Sequence, residues 1–192
     1  MYKGSPPWDI GAPQPEIVRL VENNEIKKGR VLDIGCGLGD NSIFLAKRGF
    51  SVTCMDIVRL AIEKGEAKAR EQGTKVDFRV GDALELDKYF GEEYFDVVID
   101  SGLFHSLGDD ERSLFANQVR RVLVNGGRYF MLCFSDKEPG SEGPRRISKK
   151  EIQKTFSKIF RINYIKDTFF AAKIHGKGAR AYIVSMTKIA ET

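Results

Sequence analysis

Asp33, Gly35, Gly37 and Gly39 occupy alternate positions of Val31-Leu32-Asp33-Ile34-Gly35-Cys36-Gly37-Leu38-Gly39-Asp40. Glycine lets the backbone bend tightly and meet a ligand with no side chain in between. A helix-like run from Asn41 to Lys47 follows, and the free N–H groups of its first turn point into the same crevice. The spacing is not that of a dinucleotide loop, G-x-G-x-x-G, whose third glycine would fall on Asp40. A carboxylate at Asp33 would repel a pyrophosphate and suits a cation, such as the ammonium of an amino-acid moiety. Three more acidic positions, Asp56, Asp82 and Asp100, each close or follow a short apolar run, and His105 lies just beyond the last of them.

Those runs read as strands separated by helices. Arg30 to Ile34, Ser51 to Met55, Lys75 to Val80, Tyr94 to Asp100 and Arg128 to Phe134 are expected strands. Between them, Asn41 to Arg48, Ile57 to Gln72 and Asp110 to Leu123 have helical spacing, closed by Gly49, Gly73 and Asn125-Gly126-Gly127. Pro13 to Ile26 forms a leading helix. Ser148 and Glu151 make a capping box for a late helix, with Ile147 and Ile152 as its staple. Phe160 to Asp167 and Arg180 to Thr187 are the last strands, expected as a hairpin that supplies an antiparallel edge strand. Such alternation implies a parallel α/β sheet covered on both faces, with ligands beyond the carboxyl ends of its strands.

Asp33-Ile34-Gly35-Cys36-Gly37-Leu38-Gly39, Asp56, Gly81-Asp82-Ala83 and Phe95-Asp96-Val97-Val98-Ile99-Asp100 together resemble the successive motifs of the class I S-adenosylmethionine (SAM) methyltransferases. The resemblance covers about Arg30 to Phe134. It implies a Rossmann-like seven-stranded, mostly parallel sheet with one antiparallel strand and helices on both faces. It also implies SAM as cofactor, S-adenosylhomocysteine (SAH) as product, and no metal. By resemblance, Asp33, Gly35, Cys36, Gly37, Gly39 and Asn41 would hold the amino-acid end. Asp56 would accept from the ribose hydroxyls, with Ile57 a further cofactor contact; Asp82, between Gly81 and Ala83, would accept from the adenine amino group; and Asp100 and Ser101 would lie close to the amino-acid end. The lead Pro6-Pro7-Trp8-Asp9-Ile10-Gly11-Ala12-Pro13-Gln14-Pro15 is similar to a subgroup that methylates thiopurines, thiols or halides, and heterocyclic toxins. There a tryptophan-bearing arm closes over the cofactor, so Trp8 is a candidate cofactor contact as well as an anchor for the arm. The expected organisation is one domain, 1–192: arm, helix and cofactor lid over 1–28, SAM-binding core over 29–134, and a substrate-side region over 135–192.

Methyl transfer from a sulfonium asks the protein mainly for alignment and exclusion of water. His105 is a candidate catalytic base, or else a cleft-wall residue. Phe104, Phe134, Arg145 and Arg146 are candidate acceptor-pocket residues, and His175 is expected at the surface. Net charge is +4, with 13 Lys/Arg against 5 Asp/Glu from Lys137 onward. That basic third raises the alternative of an RNA methyltransferase acting on ribose or a guanine nitrogen. Asp100-Ser101-Gly102-Leu103 lacks the Pro-Pro-aromatic pattern of base-amino methylation, and a small-molecule acceptor, methylated on S, N, O or as halide, is expected instead of nucleic acid. A non-catalytic SAM-binding protein is the other alternative. An odd count of 3 cysteines without C-x-x-C argues against a disulfide framework or zinc, and Cys36, Cys54 and Cys133 read as buried small side chains. No apolar run approaches the ~20 residues of a membrane span. The first residues lack the apolar core of a signal peptide, so the expectation is a cytosolic monomer or homodimer.

Overall fold

The structure is a computed structural model that describes residues 8–173 and 178–190. Seven strands form one sheet: β1 (Arg30–Ile34), β2 (Ser51–Asp56), β3 (Asp77–Val80), β4 (Phe95–Ser101), β5 (Leu123–Phe134), β6 (Phe160–Phe170) and β7 (Ala179–Lys188). Their order is β3-β2-β1-β4-β5-β7-β6. The first five run parallel, and β7 is antiparallel to both its neighbours. The expected antiparallel strand is therefore present but is not the edge: β7 inserts between β5 and β6. Residues of β7 are buried almost without interruption, as a strand with neighbours on both sides requires, whereas β6 alternates into solvent.

Five helices flank the sheet among the described residues: α1 (Pro15–Glu22), α2 (Asp40–Lys47), α3 (Arg59–Glu71), α4 (Glu111–Val122) and α5 (Lys149–Phe156). Helix α1 starts with Pro15 in its first turn, where a missing N–H costs nothing. Its Ile17 and Leu20 are fully buried, on the sheet face that also carries Val31, Val97 and Ile99. The helix of the expected 1–28 segment is thus packed on the core. Helix α5 has the expected box: Ser148 Oγ accepts from Glu151 N (3.1 Å), and Glu151 Oε2 accepts from Ser148 N (2.8 Å). Ile147 and Ile152 are both buried beside it.

The expected break at Asn125-Gly126-Gly127 is not a loop. Strand β5 already begins at Leu123, which pairs with Phe95, and a register shift between Phe95 and Val97 absorbs the glycines, with Gly126 at φ 75°. Two 3₁₀ turns, Ala83–Lys88 and Phe104–Ser106, follow β3 and β4. His175 and the arm up to Pro7 lie outside the described residues. No helix of the described residues is long and apolar enough to cross a membrane.

Candidate active site

The carboxyl ends of the parallel strands meet along one edge. Ile34 pairs with Met55 and with Asp100, Asp56 with Val80, and Ser101 with Leu132. From β1 the sheet continues through β2 to β3 on one side and, by a crossover, through β4 to β5 on the other, so the crevice opens beside β1. The glycine loop lies there. Gly35 has φ +67°, and a Cβ on it would meet Leu103 Cβ at 2.8 Å, so the turn leaves no room for a side chain. Gly35 N and Cys36 N both donate to Met55 O (2.8 and 3.1 Å), which ties the loop to the end of β2.

Asp33 is 1% exposed. Its Oδ2 accepts from Ser42 Oγ (2.6 Å), while Oδ1 is buried with no partner among the described residues. Burial pushes its carboxyl up to about 7, Ser42 pulls it down, and the neighbouring charges of Asp100 and Asp56 raise it further. Ser101 Oγ is a second buried atom without a partner among the described residues. Strand alternation puts Asp33 on the face of Val31, and Ser101 on that of Val97 and Ile99; those three pack in one core cluster, so both orphans point to the same side of the sheet. Buried polar atoms in native proteins are rarely left unpaired, and an unpaired carboxylate oxygen suits an ammonium donor.

Asp56, at the end of β2, accepts from Gly37 N through Oδ2 (2.9 Å) and from Val58 N through Oδ1 (2.8 Å). Burial raises its pKa and these two backbone bonds lower it. Each oxygen keeps a second lone pair, which matches a vicinal diol. Ile57 beside it is 65% exposed, an apolar side chain in need of a flat partner. Asp82 caps the turn after β3 by accepting from Leu84 N (2.8 Å), next to Gly81, whose added Cβ would touch Met55 and Tyr89. Tyr89, 37% exposed, is a lining residue that no motif announced.

Asp100 behaves differently from the expected ligand. Its fully buried carboxylate accepts from Leu103 N (2.7 Å), Phe104 N (3.0 Å) and Tyr129 Oη (3.1 Å), so it is spent on shaping the turn after β4. Burial first, against those bonds, raises it to about 7. Phe104 is fully buried against Phe115 and Phe156 and has no exposed surface to offer an acceptor. Arg145 is held by Asp109 (2.6 Å) and Glu151 (3.2 Å), and Arg146 by the carbonyls of Glu138, Pro139 and Pro144, with its guanidinium over Phe134.

His105 is 5% exposed, with its ring against Phe134 and Phe170 at centroid distances of 4.9 and 5.9 Å. Its Nδ1 accepts from Phe134 N (3.0 Å), which places the ring proton on Nε2. Burial, then Arg146, lowers its pKa to about 4. A neutral imidazole whose acceptor nitrogen is already engaged is a hydrogen-bond donor, not a base. Phe170 comes from the end of β6 and was not foreseen. Gly102, at φ +97°, gives it room, since a Cβ there would stand 3.2 Å from Phe170 and 3.4 Å from His105.

The arm enters through Gln14, which is 5% exposed. Its amide exchanges two bonds with the backbone of Ala171, both 2.9 Å, and its N–H donates to Asn41 Oδ1 (2.8 Å). Asn41, a candidate cofactor contact, is thus also the latch of the arm. Trp8 is 41% exposed.

Against expectation, the cysteines are not all free thiols. Cys36 in the loop and Cys54 in β2 form a disulfide, and Cys133 alone is free, buried in β5. Asp33 pairs with Cys54 in the β1–β2 register, so the loop that begins two residues after Asp33 passes directly over the β2 thiol.

A methyltransferase domain family matches residues 31–127. The chain is 34% identical over 176 residues to the 2-heptyl-1-hydroxyquinolin-4(1H)-one methyltransferase of Mycobacteroides abscessus, covering 90% of this chain and 74% of that one. This chain belongs to the class I SAM-dependent methyltransferases. The methyltransferase is also 31% identical over 153 residues to a probable thiol methyltransferase of Arabidopsis thaliana, covering 79% of this chain and 66% of that one. Its fold superposes, at TM-score 0.87 and 30% identity, on a protein solved in work on the conversion of a disulfide bond into a thioacetal group during echinomycin biosynthesis. That match covers 98% of this chain and 87% of the other. The sulfonium cofactor that defines the family carries an ammonium, a ribose and an adenine. The orphaned Asp33 oxygen, the diol-compatible Asp56 and the exposed Ile57 fit it in that order along the crevice.

Proposed function

We propose that the methyltransferase methylates a heteroatom of a small, largely flat molecule seated against the half-buried Phe134, whose ring packs on the nearly buried His105 (5% exposed) and Phe170 (4% exposed). The observation that carries this reading is the aromatic wall at the carboxyl ends of β4, β5 and β6, one turn from the cofactor loop. Relatives named for a hydroxyquinolinone, a thiol and, at 26% identity, ajmaline support a small-molecule acceptor. In the basic C-terminal third, three of the cations are held in local ion pairs. Lys137 and Lys149 pair with Asp167, and Arg145 pairs with Asp109 and Glu151.

SAM supplies an electrophilic methyl on sulfur. Asp33 would fix the ammonium, with Ser42 holding the carboxylate's other oxygen, and Asp56 would fix the ribose while pinning Gly37. The aromatic side chains would strip water from the acceptor. His105 Nε2–H would donate to an acceptor oxygen, nitrogen or sulfur that arrives already ionised, orienting its lone pair without taking its proton. Residues 8–13, latched at Gln14, would close the open side. The test is SAH release across phenols, N-hydroxy heterocycles, thiols and halides, with an RNA transcript alongside. Turnover with one class of small acceptor is expected. Turnover with RNA and with none of the small molecules would overturn the reading.

A further inference from the structure

The disulfide sits inside the cofactor's own cradle. Cys36 lies between Gly35 and Gly37, and Cys54 lies two residues before Asp56. Their Cα atoms are 5.8 Å apart. The same few residues are joined by the bonds from Gly35 N and Cys36 N to Met55 O and from Gly37 N to Asp56 Oδ2. We propose that Cys36 and Cys54 are a reversible oxidation site, and that closing their disulfide strengthens cofactor binding by holding the glycine loop in its binding shape. This rests on the cofactor reading above.

Gly35, Gly37 and Gly39 have φ of +67°, +55° and +74°. Glycine leaves such conformations as readily as it enters them, so the loop loses much freedom when it closes on a ligand. A covalent tether to β2 removes part of that loss before the ligand arrives. Gly39 also lies over the pair: a Cβ on it would be 3.5 Å from Cys54 Sγ.

The two sulfurs are unequal in access. Cys54 is fully buried and Cys36 is half-buried, so exchange with an outside thiol runs through Cys36. With a small disulfide such as oxidised glutathione, the Cys36 thiolate attacks one sulfur, and a glutathione thiolate leaves and takes up a proton. The Cys54 thiolate then displaces the second glutathione from Cys36. Two protein thiols are oxidised to one cystine, and one disulfide is reduced to two thiols. Cys133 takes no part: it is fully buried, and burial raises its thiol far above the ordinary range.

The experiment measures SAH affinity by calorimetry after equilibration in glutathione buffers of graded redox ratio. Alkylation and mass spectrometry count thiols in the same samples. The count should fall from three to one as oxidation proceeds, and affinity should tighten about three- to tenfold with the same midpoint. Cys54→Ala should bind with a single affinity, that of the reduced protein, at every ratio. Should Cys54→Ala not fold, the shared midpoint in the unaltered protein decides. Equal affinity in both states, a response that persists in Cys54→Ala, or three thiols at the most oxidising ratio would each overturn the proposal. If the cystine forms and neither state binds SAH, the cofactor reading falls with it, whereas equal binding removes only the redox role.

Discussion

Asp33 offers the sharpest test of the cofactor site, because its job and its burial conflict. Burial first, then the nearby carboxylates Asp100 and Asp56, raise it to about 7, and its Oδ1 has no partner among the described residues. An ammonium placed there needs the carboxylate. At pH 8 about 90% of such a group is ionised, and at pH 5.5 about 3%. SAH affinity should therefore fall about 30-fold between those pH values, with a slope near one log unit per pH unit below 7. Binding should release about 0.9 proton at pH 6 and about 0.1 at pH 8. Calorimetry in two buffers of different ionisation enthalpy counts that proton directly. Asp33→Asn should bind weakly at every pH and release none, which separates Asp33 from Asp100, also raised to about 7 but already bonded to Leu103, Phe104 and Tyr129. Affinity independent of pH, or an undiminished slope in Asp33→Asn, would refute the assignment.

The same carboxyl predicts a stability gain from a damaging substitution. Its folded pKa lies above its unfolded one, so the native state keeps a proton that the unfolded chain has lost; stability falls as pH climbs from about 4 to about 7 and stays low above. Asp33→Asn should then raise Tm at pH 8 by about 4–8 °C, from a net ~2 kcal/mol after the amide's own unpaired hydrogen, and much less at pH 4, as calorimetric melting would show. Asp56→Ala should weaken SAM by roughly 30- to 1,000-fold through loss of two charge-assisted bonds to the ribose; unchanged affinity in a folded variant would place the ribose elsewhere. His105→Ala should lower kcat/KM about 10- to 100-fold for an ionised acceptor, the size of a hydrogen bond to a charge. The pH profile between 5.5 and 8 should keep its shape, and an acidic limb present only in the unaltered enzyme would make His105 a base after all.

What the sequence disclosed follows from how local each feature is. The glycine loop and the capping box at Ser148 and Glu151 are contiguous, so residue type and spacing sufficed. The parallel order was implied by helices between strands, but the insertion of β7 between β5 and β6 was not. A hairpin can lie either way round at a sheet edge, and the nearly continuous apolar run of β7 marks it as the inner strand only once the sheet is assembled. The cystine escaped for a similar reason. A separation of 18 residues says nothing about proximity until the register places Cys54 opposite Asp33. The Gln14 latch joins residues 157 apart in sequence, by a side-chain amide that has no motif.

The two halves of the site differ in this respect for a physical reason. A cofactor shared across a family is gripped by backbone groups and carboxylates at successive strand ends, and each grip lies inside a short recognisable stretch. The proposed acceptor wall is assembled from His105, Phe134 and Phe170, which belong to three elements and meet only because β6 returns to the edge of the sheet beside β7. The role of His105 shows how far this goes. Its type suggested a base, yet a single backbone N–H from Phe134, on another strand, fixes the tautomer, and burial removes the charge. An imidazole held in that way can donate from Nε2, which on the proposed reading suits acceptors that have lost their proton before they arrive. Under the proposed donor role selectivity would follow the acceptor's own acidity, so in a series of phenols SAH release should be fastest for those whose pKa lies below the working pH, and a rate independent of acceptor pKa would refute that role.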